Sequence, residues 1–337
     1  MDQIATATRP PRILYLFPDR ASSASRLWEE RSFWPAYRDV ALRSGLDFDV
    51  AVPEHVVLSA GLAYWNGAPL DPARDIIVHD IRSGPVHDVD LWTSITLVRS
   101  LEALGFWTAI GLDDAILFND KHATAVELAD SPVPVIPSVR VTTGRDTDRL
   151  PYQEFVPDDW FPVFTKPASW GRGLGCVLCP DRATLDAVLG LASGSGACML
   201  VQPSVGEVVA DTRVVAVEGH VVAAYDRIPT SSSHVANVSR GASVRPRAYV
   251  EQALHELVTL VHERFDLPYV CVDVLVNARG ELHLSELELD GAVSALFDDP
   301  EAMDRVVGGR FRAYAARLER HTRERTLTAT PVGGVRP

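Results

Sequence analysis

The order of its apolar runs constrains this chain more than any other feature. Up to about residue 110, short strand-like runs alternate with helical stretches. Beyond that point the alternation gives way to strands paired around tight turns. Residues 13–17 (ILYLF) form an apolar run closed by Pro18 and Asp19, as a buried strand should be. Residues 25–43 carry Leu27, Phe33, Trp34, Tyr37, Val40 and Ala41 at near-helical spacing, and Pro35 is expected to split or kink that helix. Residues 48–52 and 76–81 read as strands, 91–104 as a helix ended by Gly105, and 106–110 as a further strand. Such alternation predicts a largely parallel α/β layer.

The second half reads differently. Helices are expected over 120–129, 181–191, 249–265 and 302–318, and strands over 163–166 and 199–202. Residues 213–217 and 220–225 predict a hairpin about Glu218–Gly219, and 269–277 with 281–288 a second about Arg279–Gly280. No internal repeat is present. At about 100–200 residues per domain, 337 residues predict two or three domains.

Bulk composition excludes several classes. Hydrophobic residues at 47% and charged residues at 23% are globular proportions, which argues against disorder. The formal net charge of −13 sets nucleic acid aside as the main partner, because phosphate binding favours a basic excess. No apolar run approaches the roughly 20 residues needed to span a bilayer. The N-terminus reads as a polar leader before a buried strand, not a signal peptide. Cys176 and Cys179 form one CxxC without a second pair at zinc spacing, so they read as strand residues, with Cys198 and Cys271 also unpaired in a reduced cytoplasm.

Lys and Arg total 32, yet only two are lysine, Lys121 and Lys166. Lys166 precedes the loop GRGLG, Gly171 to Gly175. Glycines let backbone N–H groups approach phosphate oxygens, and a lysine upstream adds a mobile charge for the same phosphates. The loop is neither a Walker A sequence nor a GxGxxG fingerprint, and neither GxSxG nor HExxH occurs.

An acidic trio, Asp273, Glu286 and Glu288, falls in the second hairpin. A two-residue turn at Arg279–Gly280 would set Asp273 opposite Glu286, with Glu288 on the same face. A three-residue loop would slip the register by one and part them. Three carboxylates on one face repel unless a cation sits among them, and hard oxygen ligands suit Mg²⁺.

Two lysines, a glycine loop and a late carboxylate cluster are the parts of a phosphoryl-transfer site. From about Leu112 to Leu296 the chain strongly resembles the ATP-grasp superfamily, within it the glutathione-synthetase and RimK-like carboxylate–amine ligases. The resemblance rests on Asp120–Lys121 before a short helix and PVPVIPS; on KPASWGRGLGCV from Lys166; and on the hinge MLVQPSV from Met199. DTRVVAVEGHVVAAYDR from Asp211 to Arg227, NVSRGA from Asn237, and Asp273 with Glu286-Leu-Glu288 complete it, in the family's order. Pro203 stands where the family often has Glu, Glu288 where it has Asn, and Asp290–Gly291 where Pro-Gly is common.

The resemblance implies an α/β (α+β) ATP-grasp fold. Residues 1–112 would form a Rossmann-like pre-ATP-grasp domain, 113–200 a central lid domain, 201–322 a catalytic domain, and 323–337 a tail. It implies ATP and Mg²⁺ (or Mn²⁺) as cofactors. Lys121 and Lys166 would hold phosphates, with the loop Trp170, Gly171, Arg172 and Gly173. Gln202, Ser204 and Val205 would line adenine, with Ser204 or Val205 supplying the backbone contact that Pro203 cannot, and Glu207 the ribose. Asp273, Glu286 and Glu288 would bind metal. Arg213 and Arg240 would stabilise an acyl phosphate and tetrahedral intermediate, Asn237 would orient phosphate or metal, and Arg227 would grip a substrate carboxylate. Ser231 to Ser233 would lie in a loop over the acceptor. The implied reaction joins a small-molecule carboxylate and an amine into an amide. Two alternatives are a peptide-modifying, macrocyclising ligase using Asp211–Thr212–Arg213, and an ATP-binding protein without ligase activity. A homodimer is an expectation from the superfamily.

Overall fold

The computed structural model describes residues 9–17, 29–79, 81, 91–144, 151–229 and 243–329. Contacts divide the chain into two units. One comprises 1–80, 89–112 and 296–337, the other 81–88 and 113–295.

In the first unit, β1 (Arg12–Leu16) pairs in parallel with β2 (Asp47–Ala51). Next in the chain comes a small antiparallel sheet, β3 (Val56–Ser59), β4 (Leu62–Trp65) and β5 (Ala68–Pro69), which the sequence reading did not predict. β6 (Asp75–His79) then pairs on the other side of β1, giving the parallel order β2-β1-β6. The strand expected over 106–110 is only a bridge from Thr108 to Ile77. Pro35 falls where the helical stretch divides as expected: Glu29–Phe33 is a π-helix, and α1 (Trp34–Arg43) continues it with Pro35 in its first turn.

The core of this unit has an aliphatic part, with Leu14, Leu16, Ile77 and Leu101, and an aromatic part. Tyr15 lies 5.2 Å from Trp34 and 5.7 Å from Phe48, ring centre to ring centre. The C-terminal helix, Gly309–Ala329, adds Phe311, 5.7 Å from Tyr37. That burial is why the helix groups here and not with the 201–295 segment that precedes it in the chain. It also runs past residue 318, so 323–329 are helical and not a tail.

The second unit holds two antiparallel sheets. α2 (Leu91–Ala103) belongs to the first unit, and α3 (Leu112–Asn119) leads into α4 (Lys121–Glu127). A four-stranded sheet follows, built of β7 (Val139–Thr142), β8 (Val163–Pro167), β9 (Val177–Cys179) and β10 (Cys198–Pro203) in the order β7-β10-β8-β9. Leu185 and Leu189 of α5 (Arg182–Ala192) are fully buried in its core with Val163 and Val201.

The five-stranded sheet runs β13-β12-β11-β14-β15, from β11 (Val208–Val217), β12 (His220–Ile228), β13 (Ser243–Pro246), β14 (Tyr269–Asn277) and β15 (Leu282–Glu288). α6 (Gln252–Phe265) buries Leu254, Leu257, Val258 and Val261 and packs against β12. Bulges set the register of both hairpins. β11 and β12 meet at Val217 and His220 around Glu218–Gly219, both with positive φ, as expected. An extra residue, Val222, then shifts the ladder so that Asp211 faces Arg227 and Arg213 faces Tyr225. In β14–β15 the turn holds three residues, Ala278 to Gly280, not two. That slips the register by one, and a bulge at Ser285 slips it back. Asp273 therefore faces Glu286 as predicted, by two offsets that cancel.

Candidate active site

Asp120 begins the site. It caps α4 by accepting from the N–H groups of His122 (2.9 Å) and Ala123 (3.1 Å), and Arg140 donates to it at 2.9 Å. The next residue, Lys121, donates its own N–H to the Ala168 carbonyl at 3.0 Å, which ties the helix start to the end of β8. Its Nζ donates to the Trp170 carbonyl at 2.8 Å and pairs with Glu286 Oε2 at 3.1 Å. Burial alone would lower the Lys121 pKa, but Glu286 outweighs it and the value is raised.

Lys166, at the end of β8, is buried to 7% exposure. Among the described residues its Nζ has no hydrogen-bonded partner. Burial lowers its pKa; Glu286 opposes that, and Lys121 adds to it. The following loop turns on Arg172 and Gly173, both at positive φ, with Leu174 N–H donating to the Gly171 carbonyl. Gly175 is also at positive φ, and a Cβ there would lie 2.8 Å from Pro167. Trp170 packs against the core of the four-stranded sheet, so its ring shapes the loop.

The carboxylates lie on one face of the five-stranded sheet. Oxygens of Asp273, Glu286 and Glu288 converge to within 4.8 Å of one another. Their cost is met by cations of the protein itself, which the sequence reading did not foresee. Arg213 grips Asp273 with two parallel bonds, Nε to Oδ1 at 2.8 Å and Nη2 to Oδ2 at 2.7 Å. Its Nη2 also lies 2.9 Å from Glu288, and its Nη1 donates to the Ala292 carbonyl at 2.9 Å. Arg227 Nη2 lies 2.8 Å from both Asp211 and Asp273. Asp211, Asp273, Glu286 and Glu288 are thus set among Lys121, Lys166, Arg213 and Arg227, and the formal charges cancel.

Individual titrations follow. Burial would raise Asp273, but Arg213 and Arg227 hold it well below the usual carboxylate range. Glu286 is likewise lowered, its burial outweighed by Lys121. Glu288 is raised by burial against the pull of Arg213. Burial pushes Asp211 up to about 7, with Arg227 opposing and Asp273 adding.

This donor set fits Mg²⁺. Glu286 Oε1 and Glu288 Oε1 have no partner among the described residues, while Asp273 already accepts three N–H bonds. Two free carboxylate oxygens beside a third carboxylate suit a hard cation that completes its shell with phosphate and water.

Sequence expectations fare unevenly. The structure brings Lys121, Lys166, Asp273, Glu286, Glu288, Arg213 and Arg227 together in one charged cluster. Asn237, Arg240 and Ser231 to Ser233 lie outside the described residues. In the hinge, Gln202 is buried on β10 and Glu207 is exposed. Ser204 N–H donates to the Pro162 carbonyl at 3.0 Å and is already taken. Val205 N–H has no partner among the described residues. Asp211 was named only for a peptide-binding role. Without the bulge at Val222, Arg227 would face Ala210 instead, so the pair had no signal in the idealised hairpin.

A family model described as the RimK-like ATP-grasp domain matches residues 119–294. No curated protein matches the chain in sequence. Among solved structures, the D-cycloserine synthetase DcsG is 18% identical, with 91% of this chain and 99% of that chain covered and a TM-score of 0.61. D-alanyl-alanine synthetase A from Vibrio cholerae is 16% identical, with coverages of 93% and 99% and a TM-score of 0.65. The ATP-grasp ligase PsnB complexed with a minimal precursor is 16% identical, with coverages of 92% and 99% and a TM-score of 0.60. At these identities the likeness is one of fold.

Proposed function

We propose a function from one premise: this chain belongs to the family of the RimK-like ATP-grasp domain. It is an ADP-forming carboxylate–amine ligase acting on an amino acid or small peptide in specialised metabolism. The observation that carries this reading is the charged sheet face, where two lysines, two arginines and four carboxylates meet beside a glycine loop.

In the proposed reaction a carboxylate oxygen attacks the γ-phosphorus of ATP and ADP leaves. An amine nitrogen then attacks the acyl carbon, phosphate leaves, and the nitrogen loses a proton. Lys166 and Lys121 hold the phosphates, with Gly171, Arg172 and Gly173 approaching from the loop and Trp170 shaping it. Gln202 and the Val205 N–H face adenine, and Glu207 the ribose. Asp273, Glu286 and Glu288 would hold Mg²⁺, or Mn²⁺ on the same oxygen donors, and the ion supplies charge neutralisation when bound. Arg213 has four of its N–H groups engaged, so it acts first by fixing Asp273 and Glu288. Arg227 keeps a buried Nε without a partner among the described residues and is the better-placed grip for a substrate carboxylate. Arg240 retains the intermediate-stabilising role, and Asn237 the role of orienting phosphate or metal, that the resemblance implies.

The four free cysteines fit a reducing cytoplasm. Among the described residues no helix is long and apolar enough to cross a membrane. The test is an ADP-release screen over carboxylate–amine pairs, short peptides included. Amine-dependent ADP release with some pair is the expected result. A protein that binds Mg·ADP yet releases none with any pair would be a binding protein without ligase activity, and one active only on long peptides a peptide-modifying ligase.

A further inference from the structure

The turn between β14 and β15 does more than join two strands. Asn277, at its start, is 2% exposed and uses every hydrogen-bonding position of its side chain. Its Oδ1 accepts from the N–H groups of Arg279 and Glu281, both at 3.0 Å. These two bonds close the turn, together with Gly280 N–H to the Asn277 carbonyl at 2.8 Å. Its Nδ2 donates to Glu281 Oε2 at 2.7 Å, which fixes the amide orientation. The remaining donor leaves the turn altogether and reaches the Val205 carbonyl, at 3.0 Å.

Val205 lies in the segment between β10 and β11. The neighbouring turn residue reinforces the link, since Ala278 N–H donates to the Glu207 carbonyl at 2.8 Å. Val208 pairs with Asn277 in the ladder itself. The hinge is therefore sewn to this turn at 205, 207 and 208. The same hairpin carries Asp273 four residues upstream of Asn277, about 13 Å along the strand. A turn needs only the Oδ1 acceptor; the bond to Val205 serves no purpose within it.

We infer that Asn277 is a positioning residue for the nucleotide, holding the Val205 segment ordered for the base at one end of the hairpin whose other end bears the metal carboxylates. This rests on the reading of 202–207 as the adenine hinge. A hinge ordered before binding spares the nucleotide the entropy of ordering it.

Two substitutions separate this role from turn closure. Asn277→Ser keeps a hydroxyl that can accept at the turn but is too short to reach Val205. Asn277→Asp keeps the turn acceptor and sets a carboxylate against the Val205 carbonyl; it also faces Glu281, but that exposed side chain can swing away while keeping its pair with Arg279. Calorimetric titration of the full chain with ADP and Mg²⁺ is the measurement. We expect ADP binding about threefold weaker in the Ser variant and about tenfold weaker in the Asp variant, from the loss of one hydrogen bond and then active repulsion. A turn role alone gives the reverse order, with the Asp variant close to wild type. ADP affinity within twofold of wild type in a folded Asp variant overturns the inference. Wild-type protein that fails to bind ADP overturns the nucleotide reading instead. Should the Asp variant not fold, the Ser variant decides alone: unchanged ADP affinity overturns the inference.

Discussion

The start of α4 and the end of β8 each bring one lysine to the same charged cluster around Glu286, and the two are held in opposite ways. Lys121 arrives with an anion, Glu286 at 3.1 Å, and a carbonyl at 2.8 Å. Lys166 arrives more deeply buried, with no hydrogen-bonded anion among the described residues. Their pKa values move apart accordingly, up for Lys121 and down for Lys166. One ammonium contributes to the stability of the folded chain; the other costs stability until a ligand supplies negative charge. On the proposed reading, the difference separates a lysine that also organises the metal carboxylates from one kept for phosphate alone.

The largest expected effect breaks the comparison at Lys166. Lys166→Met should weaken Mg·ADP binding on the order of 100-fold, since it removes a desolvated charge aimed at the phosphates. The same variant without ligand should be as stable as wild type or up to about 2 kcal/mol more so, because a lone buried ammonium is expensive. Chemical denaturation reads the second part, and a destabilised variant would count against it. Lys121→Met should behave in the contrary sense. It strands Glu286 and should destabilise the protein by about 1–3 kcal/mol while weakening nucleotide binding less.

Glu286→Gln sharpens the contrast from the other side. It makes Lys121 resemble Lys166, so the ligand-free protein should lose about 1–2 kcal/mol. Its affinity for ADP should then depend much less on Mg²⁺, measured by titration with and without the ion. An unchanged Mg²⁺ dependence would remove Glu286 from the metal set.

The smallest effect is in pH. The folded-state pKa of Lys166 lies below the unfolded value of 10.5, so between the two the unfolded chain binds more protons. Wild-type stability should therefore rise relative to Lys166→Met as pH climbs through that window. For Lys121, raised in the folded state, stabilisation is present below 10.5 and is lost as pH rises through the higher folded value. Denaturation midpoints of wild type and both Met variants, followed from neutral to alkaline pH, should diverge in these directions. Parallel curves would mean that the lysines sit in equivalent surroundings.

How far the sequence could be read depends on whether a feature is local. Both lysines, the glycine loop and the carboxylate trio carry their chemistry in adjacent residues, and all were legible. The register that gathers them was not. The facing of Asp273 and Glu286 was expected from a two-residue turn, whereas it comes from a three-residue turn and a bulge at Ser285. A bulge leaves no mark on the hydrophobic pattern, because one extra residue shifts everything after it to the other face. The small sheet over 56–69 had a signal that went unread, namely Ala60–Gly61 and Asn66–Gly67, all at positive φ in two-residue turns. Asn277 reads only as a turn residue in sequence; its bond to Val205 spans 72 positions and exists only in the folded chain.

The most direct test of the central claim is calorimetric titration of Mg·ADP into wild type and Lys166→Arg. A planar guanidinium keeps the charge but loses the compact ammonium that fits beside the glycine loop and Glu286. The account predicts that wild type binds and that the Arg variant binds at least about tenfold more weakly. Equal affinity in the two proteins would contradict it, since any cation would then serve where this chain keeps one of its two lysines.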